Sequence, residues 1–208
     1  MSFNMRLLPH PFQVVYIDTE GTFREEKVKS IAKVRELKWE NILANIQLKT
    51  PVYRGQQESC IDQVCSSIGN STAASRVKLL IIDSMTFHYK AEDSERSRLT
   101  KRAERLNIYM HKLHHLDITK KIALVITNHT TNEPHDDFRY SIPRPFGGNI
   151  IFHASNYIIN LGAAGKALGS ISITLTKSST RCHQSLQILI EDFGFINTHN
   201  KFAVKGKV

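Results

Sequence analysis

Three short aliphatic runs, each cut off by polar residues, constrain this chain more than any other feature of its sequence. Val14-Val15-Tyr16-Ile17 stops at Asp18-Thr19-Glu20-Gly21, Leu79-Leu80-Ile81-Ile82 stops at Asp83, and Ile122–Thr127 stops at Asn128-His129. A strand buried on both faces reads as an unbroken apolar run, and such strands belong to parallel sheets covered by helices. Helical composition follows the first run from Glu25 to Trp39, with Val28, Ile31, Val34 and Leu37 on one stripe. Two further helices are expected, over Gln57–Ile68 and over Arg98–His115, where Leu99, Ala103, Leu106, Met110 and Leu113 repeat at helical spacing. In a parallel sheet, ligands collect at the carboxyl ends of the strands. Asp18 with Glu20, Asp83, and Asn128 with His129 are therefore expected to meet at one edge.

The rest of the chain changes character. Ile42–Leu48 reads as another strand, closed by Pro51, and Asn128–Asn149 is a long polar stretch. Tyr157–Leu161, Ser170–Thr176 and Leu186–Ile190 look like short strands joined by turns. The expected fold is α/β, a mostly parallel sheet with an antiparallel C-terminal extension. With no internal repeat or low-complexity segment, residues 1–208 read as one domain.

An acid after four aliphatics is the form of a strand that holds Mg²⁺ beside a nucleotide's phosphates, which makes Asp83 a candidate. Many buried strands simply end in aspartate. Glu20, on the neighbouring loop, has the chemistry to orient and deprotonate a water attacking a γ-phosphate. It also has the position of a helix N-terminal acid. Two acids and a polar residue at three strand ends favour the nucleotide reading.

The net charge of +9 favours partners that carry phosphates. No stretch approaches the ~18 apolar residues a membrane helix needs, and the first residues, MSFNMRLLPHPFQ, make a poor signal peptide. Cys60, Cys65 and Cys182 leave one cysteine unmatched, so an intracellular address fits better than a disulfide framework. Archaeal cytoplasm is favoured over a nucleus, since no basic import cluster is evident. His111, His114 and His115 do not read as a zinc site, because His111 and His115 share a helix face with no evident third ligand.

Four segments carry a resemblance. YIDTEGTFREEKV (16–28) resembles the segment after the first phosphate-binding helix of archaeal RadA and its eukaryotic recombinase relatives. LLIIDSMTFHY (79–89) resembles their magnesium strand, VITNH (125–129) their sensor strand, and FGGNIIFHAS (146–155) the end of their second DNA loop. The chain is thereby identified as a member of the RecA/RadA family of homologous-recombination ATPases. This implies a RecA-like P-loop NTPase core that uses ATP and Mg²⁺ in recombination and repair. Carried over by residue, Glu20 becomes the water-activating base and Asp83 the magnesium-side aspartate, with Arg24 near the adenine. Arg96 and Arg98 fall in the first DNA loop, and Arg139 and Arg144 in the second, which Gly147 and Gly148 close. The implied partners are single-stranded DNA and either further copies of the chain or a recombinase paralogue. No membrane is implied.

The chain also departs from the family. A GxxxxGK[ST] loop should precede Val14, and none does, so the core is expected to be N-terminally incomplete and inactive as it stands. Gly165-Lys166 is a decoy, because Asn160 and Ala167 occupy the positions of the first glycine and the Ser/Thr. His129 stands where many relatives carry a sensor glutamine; it retains the capacity to donate to a γ-phosphate, with a pH-dependent charge. Lys177 stands where the family usually has an aspartate that caps the neighbouring subunit's ATP. Its ammonium is expected to supply a fixed positive charge there, unless it is an exposed lysine in a turn. Two alternatives stay open: a non-hydrolysing paralogue acting as a mediator, and a KaiC-like ATPase with no DNA role. The basic loops and GGNIIFHAS argue against the latter.

Overall fold

The structure, a computed structural model, describes residues 12–70, 76–91, 96–131, 144–164 and 169–197. In chain order its elements begin with β1 (Gln13–Asp18), α1 (Glu25–Val34), α2 (Trp39–Ala44), β2 (Ile46–Lys49), α3 (Arg54–Gly69) and β3 (Val77–Asp83). Next come α4 (Phe87–Ala91), α5 (Arg96–Lys120), β4 (Ala123–Ile126), β5 (Thr130–Thr131), β6 (Arg144–Pro145) and α6 (Gly148–Ala154). The last strands are β7 (Tyr157–Ala163), β8 (Ser170–Ser178), β9 (Gln184–Glu191) and β10 (Gly194–Asn197). The residues gather into two compact units. Of the described residues, one takes those up to Phe23 and those within Asn41–Ala154, the other those of Arg24–Glu40 and from Ser155 to Asn197.

In the first unit β2-β1-β3-β4 form a sheet in that order, every pair parallel. The register aligns Ile17 with Ile82 and Asp18 with Asp83, so the two acids sit at the same height. Ile82 pairs in turn with Ile126, which puts Thr127–His129 just beyond the same edge. Val15, Ile17, Leu80 and Ile82 are buried with Ile61, Val64 and Ile68 of α3 and Leu106, Met110, Leu113 and Leu116 of α5. These aliphatics supply the burial that outweighs the ordering of the chain.

Three sequence expectations need correction. Ile42–Ala44 belong to α2, and the strand beside β1 is only Ile46–Lys49. The run from Ile122 does not make a fully buried strand: β4 alternates exposed and half-buried residues, leaving Val125 47% exposed, and is the last strand of its sheet among the described residues. The first helix stops at Val34 rather than Trp39. Glu36 enters the left-handed region (φ 55°), and Leu37 N–H donates to Ala32 O (2.9 Å) while Glu36 N–H donates to Lys33 O (3.1 Å). That pairing closes a helix C-terminus by satisfying its orphan carbonyls. Of the predicted apolar stripe, Val28 and Ile31 are half-buried, whereas Val34 and Leu37 are exposed.

In the second unit β10-β9-β8-β7 form an antiparallel sheet, the C-terminal extension read from the sequence. β7 and β8 pair antiparallel on either side of residues 165–168. The decoy Gly165-Lys166 lies outside the described residues.

Candidate functional site

The loop after β1 is organised by its own aspartate. The buried Asp18 carboxylate accepts the N–H groups of Glu20 (3.2 Å), Thr22 (3.2 Å) and Phe23 (2.9 Å). Gly21 turns the chain at φ 67°, where a side chain would be strained. Thr19 fastens this loop to the end of β3: its hydroxyl donates to Ser84 O (2.9 Å) and accepts from Ser84 N–H (2.8 Å). Thr19 N–H also donates to Asp83 O (2.7 Å). Asp18 is thus a structural group, and the loop it shapes presents Glu20.

Asp83 is held at both carboxylate oxygens. Tyr16 of β1 donates to Oδ2 (2.6 Å) and Thr127, just beyond the end of β4, to Oδ1 (2.5 Å). Burial first, then the Asp83 hydrogen bond and charge, push the Tyr16 phenol well above its ordinary range. The Asp83–Ser84 peptide is cis. Glu20 Oε1 lies 2.6 Å from His129 Nε2, which ties the β1 loop to the end of β4. Glu20, Asp83 and His129 therefore meet at the carboxyl edge of three adjacent strands, as the sequence implied.

Asn128 links this edge to the segment that follows the long polar stretch. Its side-chain carbonyl accepts from Thr86 (2.5 Å) and its amide donates to Phe146 O (2.8 Å), while Phe146 N–H donates to His129 O (2.9 Å). β5 and β6 pair Thr130 with Pro145 and Thr131 with Arg144, bringing the two ends of the predicted second DNA loop together. Gly147 has φ 78°, and a Cβ there would lie 2.8 Å from Leu106 Cδ2, so glycine lets the chain pass over α5. Gly148 has φ 46° and open space around it.

The other predicted residues are more dispersed. Arg96 and Arg98 lie in the first turn of α5, and Arg144 lies on β6. Arg139 lies outside the described residues. Arg24 is the exposed N-cap of α1, and Lys177 is half-buried on β8 opposite Ile158, a strand residue rather than a turn lysine. Both belong to the second unit.

Sequence reasoning missed Tyr16, Thr127 and a charged cluster behind the edge. On α3, Glu58 accepts Tyr89 OH (3.0 Å) and Arg105 Nε (2.9 Å), with a second contact from the Arg105 guanidinium and Arg54 Nε at 3.9 Å. Burial opposes ionisation of Glu58, but the hydrogen bonds from Arg105 and Tyr89 outweigh it, and the carboxyl is held below its ordinary range. The only signal for Tyr16 was a phenol inside an aliphatic run two residues before Asp18. Nothing marked Glu58, whose partners lie 31 and 47 positions away.

The Rad51 family model matches residues 11–192. The chain belongs to the Rad51 family. Among curated relatives, the DNA repair and recombination protein RadA of Ignicoccus hospitalis is 32% identical over 153 residues, covering 73% of this chain and 45% of that protein. The match thus spans less than half of the relative's length. The family match and the parallel sheet with its helices establish an α/β RecA-like core, to which this Rad51-family chain adds an antiparallel sheet. Among the described residues, no helix is long and apolar enough to cross a membrane.

Proposed function

We propose that this chain acts in homologous recombination and DNA repair, binding single-stranded DNA and contributing the carboxylate side of an ATP·Mg²⁺ site. The observation that supports this is the meeting of Glu20, Asp83 and His129 at the ends of adjacent parallel strands. Asp83 fits the cation: its hard oxygens each accept one hydroxyl yet keep further lone pairs. Mg²⁺ bound there would neutralise phosphate charge. Glu20, oriented by His129, would hold a water by hydrogen bonding. Phosphates also need a cradle of backbone N–H groups, and GxxxxGK[ST] occurs nowhere in the sequence. The residues of this chain therefore fit the cation and the water and do not by themselves fit the triphosphate, so no hydrolytic step is assigned to them alone.

Arg96, Arg98, Arg139 and Arg144 would grip the DNA backbone without sequence preference, and Gly147-Gly148 would let the second loop close. Arg24 is assigned to the adenine side and Lys177 to a neighbouring subunit's nucleotide, in an assembly of like chains or with a paralogue inside the cell. A Lys177→Asp variant that assembles and responds to cations like the original would overturn that last assignment. Neither the mediator nor the KaiC-like alternative gains support from the family match or the relative.

The test is fluorescence anisotropy of labelled single-stranded DNA with the full chain across a salt series, beside ATP hydrolysis with and without DNA. Binding that weakens steeply with salt, and weakens again when Arg139 and Arg144 become alanine, supports the reading. A folded chain with no affinity for single-stranded DNA overturns it.

A further inference from the structure

Glu58, on α3, is only 4% exposed. Taking a carboxylate out of water is costly, and well-packed apolar side chains often stabilise such a contact as well as an ion pair does. What the charge supplies is direction. Apolar packing is non-directional and tolerates a slip of one helix along another, whereas a guanidinium fork meets a carboxylate in one geometry.

Glu58 reaches both helices that follow Asp83. Tyr89 of α4, fully buried, donates to Oε1 (3.0 Å), and Arg105 of α5 spans the two carboxylate oxygens, with Nε 2.9 Å from Oε1. Arg54, four positions earlier on α3, lies 5.9 Å from the centre of the Tyr89 ring. Four positions later, Asp62 repeats the pattern and accepts from Tyr109 (3.1 Å) and Lys112 (2.7 Å) of α5. Acids at 58 and 62 thus meet donors at 105 and 109, a spacing of four on each helix, so α3 and α5 are held in register turn by turn. The Asp62–Lys112 pair is 46% and 44% exposed and is screened by water. The Glu58 rung is therefore the one that sets the register.

We propose that Glu58 is a positioning residue for DNA binding, fixing through Arg105 the height at which the first turn of α5 meets a phosphate backbone. This rests on the reading that Arg96 and Arg98 of that turn contact DNA. Arg98 precedes Arg105 by seven positions, about two turns of one rigid helix, so any slip at Arg105 reaches it undiminished. A slip of one turn displaces the helix by about 5.4 Å, well beyond the roughly 3 Å reach of a hydrogen bond to phosphate. Tyr89 ties α4 to the same carboxylate, so Glu58 also sets α5 against the segment that leaves Asp83.

Anisotropy of labelled single-stranded DNA with the full chain across a salt series tests this. Arg96→Ala with Arg98→Ala should lower the slope of log affinity against log salt by about 1.4, at about 0.7 for each phosphate contact on a single strand. Glu58→Gln keeps an acceptor for Tyr89 and loses the ion pair. It should weaken binding about fivefold or more and lower the slope by about 1. Added to the arginine pair, it should change affinity by no more than about twofold, because contacts already lost cannot be lost again. Ile61→Val trims a methyl from the buried face of α3 and leaves the ion pairs intact. Its affinity should stay within about twofold of the original. Should Glu58→Gln fail to fold, Arg105→Lys, which keeps the charge and loses the fork, replaces it with the same loss expected. Binding unchanged in the folded variant overturns the proposal. So does a full additional loss on top of the arginine pair, or an equal loss in Ile61→Val, since either would make Glu58 merely structural. DNA binding that depends on neither arginine overturns the DNA reading of this turn, and the proposal with it.

Discussion

His129 Nε2 stands 2.6 Å from Glu20 Oε1, joining residues 109 positions apart at the open edge of a parallel sheet. The contact holds one carboxylate oxygen of Glu20 against the imidazole. Glu20→Gln keeps a group that can accept the imidazole's hydrogen bond but cannot take a proton. Any DNA-stimulated ATP hydrolysis should fall by roughly a hundredfold or more, the usual contribution of a general base, with thermal unfolding little changed. Hydrolysis that survives the substitution would remove Glu20 from the role.

The Glu58 cluster predicts acid sensitivity. Its folded carboxyl titrates below its unfolded value of about 4.3, because Arg105 and Tyr89 favour the charged form more than burial opposes it. The stability it contributes is fully present above the unfolded value and is lost as pH falls through the folded one. Urea midpoints measured from neutral pH downward should drop across this window, and Glu58→Gln should flatten the drop. At neutral pH Glu58→Ala should cost about 1–3 kcal/mol, chiefly by leaving the buried Tyr89 hydroxyl without its acceptor.

The alkaline limb has the opposite sign. Tyr16 and Tyr89 are both raised, foremost by burial and then by the acids they bond. Tyr109 is pushed up to about 12 by burial and its Asp62 hydrogen bond. Folding binds these protons more tightly than the unfolded chain does, so their contribution is complete below about pH 10 and declines as pH rises through the folded values. An ultraviolet titration should find these phenols ionising only as the fold is lost. Tyr157, lowered by hydrogen bonds from Thr180 and Ser179, should ionise earlier.

Tyr16→Phe removes one of two hydroxyl donors to Asp83. Losing a hydrogen bond to a charged group costs about 1.5–3 kcal/mol, and Thr127 on the other oxygen should hold the loss near the lower figure. Denaturant unfolding measures it. An unchanged midpoint would mean that the Tyr16–Asp83 contact contributes nothing.

The two adjacent glycines should behave differently. Gly147→Ala puts a Cβ 2.8 Å from Leu106 and 3.2 Å from Ile151 at a φ of 78°, so a loss of about 2–3 kcal/mol is expected from strain and overpacking together. Gly148→Ala meets open space at φ 46° and should cost only about 1 kcal/mol. Equal losses in thermal melts would contradict this account.

The sequence by itself determined the strands that carry Glu20, Asp83 and His129, because continuous aliphatic runs ending in polar residues have few uses outside a parallel sheet. It also determined the family, through segments whose residues are constrained together. It misread the end of α1, where Glu36 adopts a left-handed conformation that its residue type does not announce. It took Ile42–Ala44 for strand because a short apolar run has no clear period. Only the tertiary structure decided that Tyr16 and Thr127 clamp Asp83, that His129 reaches Glu20, and that Glu58 sits between Tyr89 and Arg105. Those contacts join residues tens of positions apart, and strand register and helix packing, rather than local propensity, set which side chains meet.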